Sequence, residues 1–323
     1  MNSRSVLIVG LGQIGMGYDL GLPPQNVLSH ARAFQNCPGF RVIGGVDPDP
    51  KKRATFDKVY LAQSYESLEI AMLEKDPDVV VVANPTRNHG DTLRDVMGFG
   101  KPSAILCEKP LSYDMSEARS VVRACEDSNI RLFVNYVRRS DPAVKKIQSF
   151  LHSGAIIGPF SGVARYTKGF IHNGTHMIDL LNSWFGAPID VDLLKTHDAT
   201  DISPCDAVLD AELRFDYGRV QLQFEGVQKH LFELELNFSN GVLRYQDSGN
   251  KVTWSGENLD GSDSAQSPNA EVSLEPSMGR YQLNVANDLR RALEYEPHNL
   301  CSGRDSLLSL AIANQLVEKS KLR

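Results

Sequence analysis

The chain has 323 residues, 41% hydrophobic and 23% charged, which is enough to bury a large core and more than one domain usually holds. A formal net charge of −6, with no Lys/Arg cluster, argues against nucleic acid as a partner. The five cysteines (Cys37, Cys107, Cys125, Cys205, Cys301) stand far apart with no ligand-like spacing, so reduced thiols in a cytoplasmic protein are expected.

The apolar run Val6–Gly12 is too short to cross a membrane and lacks the cleavage region of a signal peptide, so no membrane association is expected. Over about the first 135 residues, short apolar runs alternate with helical patterns. Strands are predicted at Ser5–Gly10, Arg41–Val46, Asp78–Ala83, Ser103–Cys107 and Arg131–Val134. Near-continuous apolar runs of this length suit strands buried on both faces of a parallel sheet. Between them, Leu93, Val96 and Met97 share one helix face, and so do Ala118, Val121, Val122 and Cys125. This alternation predicts an α/β fold: an N-terminal Rossmann domain with a doubly wound parallel sheet over residues 1–135.

The first strand ends in Gly10-Leu11-Gly12-Gln13-Ile14-Gly15. Glycines there allow a tight turn whose N–H groups can approach a pyrophosphate, with a helix packed closely behind. The second strand ends in Asp47, whose carboxylate can accept from both adenosine ribose hydroxyls and would repel a 2′-phosphate. NAD is therefore the expected cofactor, and NADP the less favoured one. Asp47 lies 32 residues after Gly15, where about 20 is usual. Residues Met16–Asn26 read as an insertion ahead of a helix carrying Val27, Ala31 and Phe34.

Further landmarks follow in order. The third long strand leads into Asn84-Pro85-Thr86-Arg87-Asn88-His89, and the fourth into Glu108-Lys109-Pro110. The second half holds His172-Asn173-Gly174-Thr175-His176, followed by a helix ending in Trp184-Phe185-Gly186. Together these features resemble the glucose–fructose oxidoreductase and inositol dehydrogenase family (Gfo/Idh/MocA), over essentially the whole chain. The resemblance implies that Lys109 is catalytic, with Glu108 orienting it, and that the Asn84–His89 loop, through Asn84, Pro85, Thr86 and His89, borders the nicotinamide. It implies that His176 takes the proton of the substrate hydroxyl. The family commonly has aspartate four residues before this histidine. Here that position is His172, which could share the base role, bind substrate or be polar filler. Asn135 and Arg138, where the chain leaves the first domain, match a cluster that faces the substrate. Tyr166, Lys168 and Asn173 are further substrate-side candidates.

The i, i+4 pair His172 and His176 would also allow a metal, but no carboxylate cluster or HExxH pattern accompanies it, and none is expected. Asn173 and Thr175 are candidate caps of the helix that follows. After a helix over Asp141–His152, the segments Ala207–Phe215, Arg219–Phe224, His230–Asn237 and Gly241–Tyr245 alternate apolar and polar residues. They predict a C-terminal α+β domain over 136–323 with a largely antiparallel open sheet. Ser255–Ala270 reads as a loop, and helices near Arg280–Glu294 and Ser306–Lys319 close the chain. The resemblance implies oxidation of a secondary hydroxyl on a sugar-like small molecule (sugar, inositol or nucleotide sugar). It also implies a homodimer or homotetramer assembled through the second sheet. Its alternatives are a redox-cycling glycosidase or lyase using NAD, and a non-catalytic NAD-binding regulator.

Overall fold

The computed structural model describes residues 3–198, 206–226, 230–259 and 271–322. The chain divides into two compact units. The first comprises Met1–Ser140 with Gly279–Leu307, the second Asp141–Met278 with Leu308–Arg323. The border thus falls at 140/141 rather than 135/136, and a late segment joins the first unit.

The first unit begins with β1 (Arg4–Val9), α1 (His30–Asn36) and β2 (Phe40–Val46). It continues through α2 (Pro50–Tyr60), β3 (Gln63–Tyr65), α3 (Leu68–Lys75) and β4 (Val79–Val82). Then come α4 (His89–Phe99), β5 (Ala104–Cys107), α5 (Met115–Asp127) and β6 (Arg131–Val134). All five predicted strands form, and β3 is added; with a polar Gln-Ser pair and three residues it shows no apolar run. Helix starts follow side-chain chemistry. Asp49 accepts from Lys51 N ahead of Pro50, and Asp114 accepts from Glu117 N, each occupying an otherwise orphaned donor. The helix after the glycine motif begins only at His30, so Val27 is buried ahead of it rather than within it. The carboxylate of Asp19 takes the N–H groups of Leu28 and Ser29 and keeps them out of a helical turn.

The second unit opens with α6 (Pro142–Ser153), β7 (Phe160–Tyr166), α7 (Thr175–Phe185) and β8 (Asp190–Thr196). Strands β9 (Leu209–Phe215), β10 (Gly218–Phe224), β11 (Phe232–Phe238), β12 (Gly241–Gln246), β13 (Lys251–Gly256) and β14 (Glu271–Ser273) complete its sheet. The strand order is β14-β13-β12-β11-β7-β10-β9-β8, and only the β7–β10 pair is parallel. Alternation places Leu209, Ala211, Leu213, Phe215, Phe232, Leu234 and Leu236 in the core. The intervening residues, among them Glu212, Arg214, Glu233 and Glu235, give the opposite face a polar character. The loop expected from Ser255 starts later, because β13 pairs with β12 as far as Gly256; residues 260–270 and Cys205 lie outside the described residues.

The chain then returns to the first unit with α8 (Tyr281–Leu293) and β15 (Cys301–Ser302), before α9 (Gly303–Lys321) ends it. Val285, Ala286 and Leu289 of α8 enter the same core as Val6, Ile8 and Phe34, and β15 pairs antiparallel with the edge strand β6. The sheet order is β15-β6-β5-β4-β1-β2-β3, parallel apart from β15. This is the doubly wound arrangement, with its reversal of strand order at β1 and β4, where such sheets bind ligands. No described helix is long and apolar enough to cross a membrane.

Cys37, Cys107 and Cys125 are free and buried, and Cys301 is buried. Burial, foremost, pushes the thiols of Cys37 and Cys125 up to about 11, and that of Cys107 well above its ordinary value. At pH 8 only about one part in a thousand of Cys37 or Cys125 would be thiolate. A thiol-alkylating reagent at pH 8 is therefore expected to leave Cys37, Cys107 and Cys125 unlabelled until denaturant is added. Peptide mass spectrometry reads this out, and labelling of any of the three in the native protein would contradict the assignment.

Candidate active site

The site in the first unit begins where β1 ends. Gly10 has φ +98°, and a side chain there would put Cβ 2.5 Å from Asn84 N. Only glycine permits this approach of the β1 turn to the β4 turn. Gly15 likewise packs against the carbonyl of Gly10 with no room for a side chain, whereas Gly12 faces open space. The N–H groups of Gly12, Gln13 and Ile14 have no protein acceptor among the described residues. Clustered orphan donors beside an open glycine suit a pyrophosphate group.

Asp47 ends β2 and is buried. One carboxylate oxygen accepts from Leu11 N (2.9 Å) and lies 3.5 Å from Lys52 Nζ, and the other accepts from Asp49 N (2.9 Å). The side chain therefore locks the glycine turn to β2. A carboxylate has about four acceptor sites, so capacity for ribose hydroxyls remains.

His89 is fully buried rather than offered to a ligand. Its Nδ1 lies 3.0 Å from the carbonyl oxygen of Pro110 and its Nε2 3.0 Å from that of Asn84. The ring ties the loop after β4 to the loop after β5. Burial, opposed by these two carbonyls, holds its pKa below the ordinary histidine value. Asn84 donates through Nδ2 to Thr92 (2.7 Å), Pro85 is exposed and Thr86 half-buried.

Glu108 and Lys109 follow β5, and the Lys109–Pro110 bond is cis. Oε1 of Glu108 accepts from His30 Nε2 (2.8 Å) and Asn135 Nδ2 (2.6 Å). Asn135 also donates to Gln282 Oε1 (3.2 Å), so its amide supports Glu108 instead of reaching out to substrate. Burial alone would raise the Glu108 pKa. The bonds from His30 and Asn135, with the charges of His30 and Lys109, outweigh it and hold the carboxyl below its usual range. An ionised Glu108 in turn keeps a negative charge beside the Lys109 ammonium. Arg138 is buried one short turn after Asn135. His30 escaped the sequence reading because the insertion separates it from the glycine motif.

The second unit carries the histidine pair. A π-helical turn (Phe170–Gly174) runs directly into α7, so neither Asn173 nor Thr175 caps it. Asn173 Nδ2 donates to Thr167 O (2.8 Å) and Thr175 Oγ1 to Ile171 O (2.7 Å). The N–H of Thr175, the first residue of the helix, meets the carbonyls of Phe170 and Asn173 in the turn itself, so no side-chain cap is needed there. His172 is exposed and His176 is buried on α7, its ring edge-on to Phe232 at 6.3 Å. Asp206, unmarked by any sequence pattern, accepts from Ile171 N (2.6 Å) and His172 N (3.0 Å) and so fixes the turn. Lys168 adopts the left-handed φ of +68°. Tyr166 is buried, with its hydroxyl donating to Leu209 O (2.6 Å) and its pKa driven up by burial, which makes it a brace of the sheet rather than a ligand. Among the described residues, no group of three or more His, Cys, Asp or Glu is placed to hold a metal.

Residues 4–136 match the model of the oxidoreductase family with an NAD-binding Rossmann fold (Gfo/Idh/MocA). A D-apiose dehydrogenase of Rhizobium rhizogenes is 25% identical over 144 residues, which is 44% of this chain and 41% of that protein. An inositol 2-dehydrogenase of Rhizobium meliloti is 28% identical over 129 residues, 39% of this chain and 38% of that one. The aligned stretch thus spans about two fifths of these curated relatives. The WlbA dehydrogenase of Bordetella pertussis, solved with NADH and UDP-GlcNAcA, shares the fold with a TM-score of 0.79. It is 16% identical, and the match covers 99% of this chain and 96% of that one.

Removing the Asn135 amide tests the Glu108 network. Asn135→Leu leaves the buried carboxylate short of a donor, at a cost of about 1–3 kcal/mol near neutral pH. In the native chain the depressed Glu108 pKa stabilises the fold above the unfolded value of about 4.3, and this contribution is lost as pH falls through the lower folded value. In Asn135→Leu the folded pKa rises, so the deficit is expected to be full at pH 7 and to shrink as pH is lowered below about 4.3 towards the depressed native value. Denaturant unfolding across that range measures it, and a deficit constant with pH would refute the assignment.

Proposed function

We propose that the protein is an NAD-dependent dehydrogenase that oxidises a secondary hydroxyl of a sugar, inositol or nucleotide sugar. The reading rests most on one observation: a lysine follows β5, beside a carboxylate kept ionised by two buried donors, in the unit that carries the glycine turn. The dehydrogenases similar to this chain, named for apiose and inositol, support the substrate class.

In this reading the N–H groups of Gly12, Gln13 and Ile14 hold the pyrophosphate of NAD and Asp47 holds its adenosine ribose. Asn84, Pro85, Thr86 and Glu108 border the nicotinamide, and His89 fixes the loop that carries the first three. When bound, NAD supplies the hydride acceptor. The Lys109 ammonium hydrogen-bonds to the substrate oxygen and stabilises negative charge as it develops there. A ring nitrogen of His176 takes the hydroxyl proton, a role that imidazole fills more often than any other side chain. His172, Lys168, Asn173 and Arg138 orient the substrate. The protein is cytoplasmic and assembles as a homodimer or homotetramer through the second sheet, by a contact across a polar face.

A screen for NADH absorbance with NAD or NADP, across inositols, free sugars and nucleotide sugars, tests the proposal. NADH is expected with one substrate class and with NAD preferred. Lys109→Ala and His176→Ala should each lower kcat by about 10²–10⁴-fold while NAD still binds. Turnover without net NADH, or full rates in both variants, would refute it.

A further inference from the structure

The segment between Gly15 and α1 leaves the glycine turn and comes back to it. His30 N donates to Ile14 O (3.0 Å) and Ala31 N to Gly15 O (2.9 Å), so the two ends of residues 16–29 are joined. Two side chains staple the excursion from inside. The fully buried Asp19 carboxylate accepts from Leu28 N, Ser29 N and the Ser29 hydroxyl. The Arg32 guanidinium donates to the carbonyls of Asp19, Leu22, Pro23 and Asn26. On its far side Val27 exchanges backbone hydrogen bonds with Gly279 and Gln282. With this many internal partners the segment has the make-up of a rigid Ω-loop.

Its inner side meets a cavity of about 410 Å³ lined by Gly12 and Gln13, by Met16 and Leu20 of the loop, and by Lys51, Lys52 and Thr55 of α2. The cavity therefore starts at the orphan donors and runs along the first turns of α2, which Asp47 and Asp49 precede. Leu20 is 41% exposed although the loop around it is fixed, an apolar side chain on the lining of this cavity.

We propose that residues 16–29 form a preformed wall of the dinucleotide site, in which Leu20 covers the adenosine end of the cofactor. The inference rests on the NAD-binding reading above and gives the insertion a task within it. The occupant follows from the lining. Backbone N–H groups and two lysines suit a diphosphate and a ribose edge, and Leu20 supplies an apolar cover for the sugar and base. Because Asp19 and Arg32 set the wall beforehand, binding need not order it, and its contribution goes into affinity.

The test compares Leu20→Ser with the unaltered protein, using NAD, ADP and nicotinamide mononucleotide as separate probes in calorimetric titration and in competition against NADH fluorescence. Leu20 packs little against the fold, so the thermal midpoint is expected to stay unchanged. Affinities for NAD and ADP should fall about tenfold, the scale of uncovering one half-exposed leucine, with nicotinamide mononucleotide unaffected. Asp19→Asn, which loosens the staple without touching the cavity, should weaken the same two probes. If NAD and ADP bind Leu20→Ser as they bind the unaltered protein, the wall is refuted while the dehydrogenase reading stands. If the unaltered protein binds neither, both fail.

Discussion

The candidate site depends on one approach of main chain to main chain. At Gly10 the turn after β1 lies against the turn after β4 with no space for a Cβ. Everything else is hung from that contact. Asp47 ties β2 to the same turn through Leu11, and His89 ties the loop after β4 to the loop after β5. Glu108 then ties β5 to α1 and β6 through His30 and Asn135. Five strand ends are thus joined through polar side chains that each meet a partner, the condition under which such groups rigidify a structure rather than weaken it.

Much of this was legible in the sequence, and the reasons are specific. Val79–Val82 and Ala104–Cys107 are buried on both faces, so their apolar runs have no competing interpretation. The glycine motif is local, and the need for φ > 0 or close approach shows directly in residue type. What escaped was tertiary. His30 meets Glu108 across 78 positions and Asp206 meets Ile171 across 35, and no periodicity records such pairs. Asn135, Tyr166 and His89 have side chains equally suited to ligands and to carbonyls; only their partners decide, and here the partners are protein.

The caps expected at Asn173 and Thr175 show how a sound local rule can be displaced. Both residue types favour a helix start, yet the π turn upstream already supplies carbonyls to the N–H of Thr175. The two side chains are then released to bond to Thr167 and Ile171, which stiffens the turn carrying His172. A carboxylate from elsewhere in the chain, Asp206, completes the job that a cap would have done.

The composition of the first unit has a consequence for biogenesis. Its core and its β6 edge are finished only by residues 279–307, which leave the ribosome after nearly all of the second unit has been made. Until α8 arrives, the apolar surface that Val285, Ala286 and Leu289 will cover is open, and the β6 edge has unpaired main-chain groups available to any other strand. A nascent chain ending near residue 140 therefore holds the whole glycine turn and the lysine loop yet lacks Gln282 and the α8 cover. The unit that carries the dinucleotide motif, begun first, is thus finished only near the end of synthesis, a delay set by the fold's connectivity rather than by its stability.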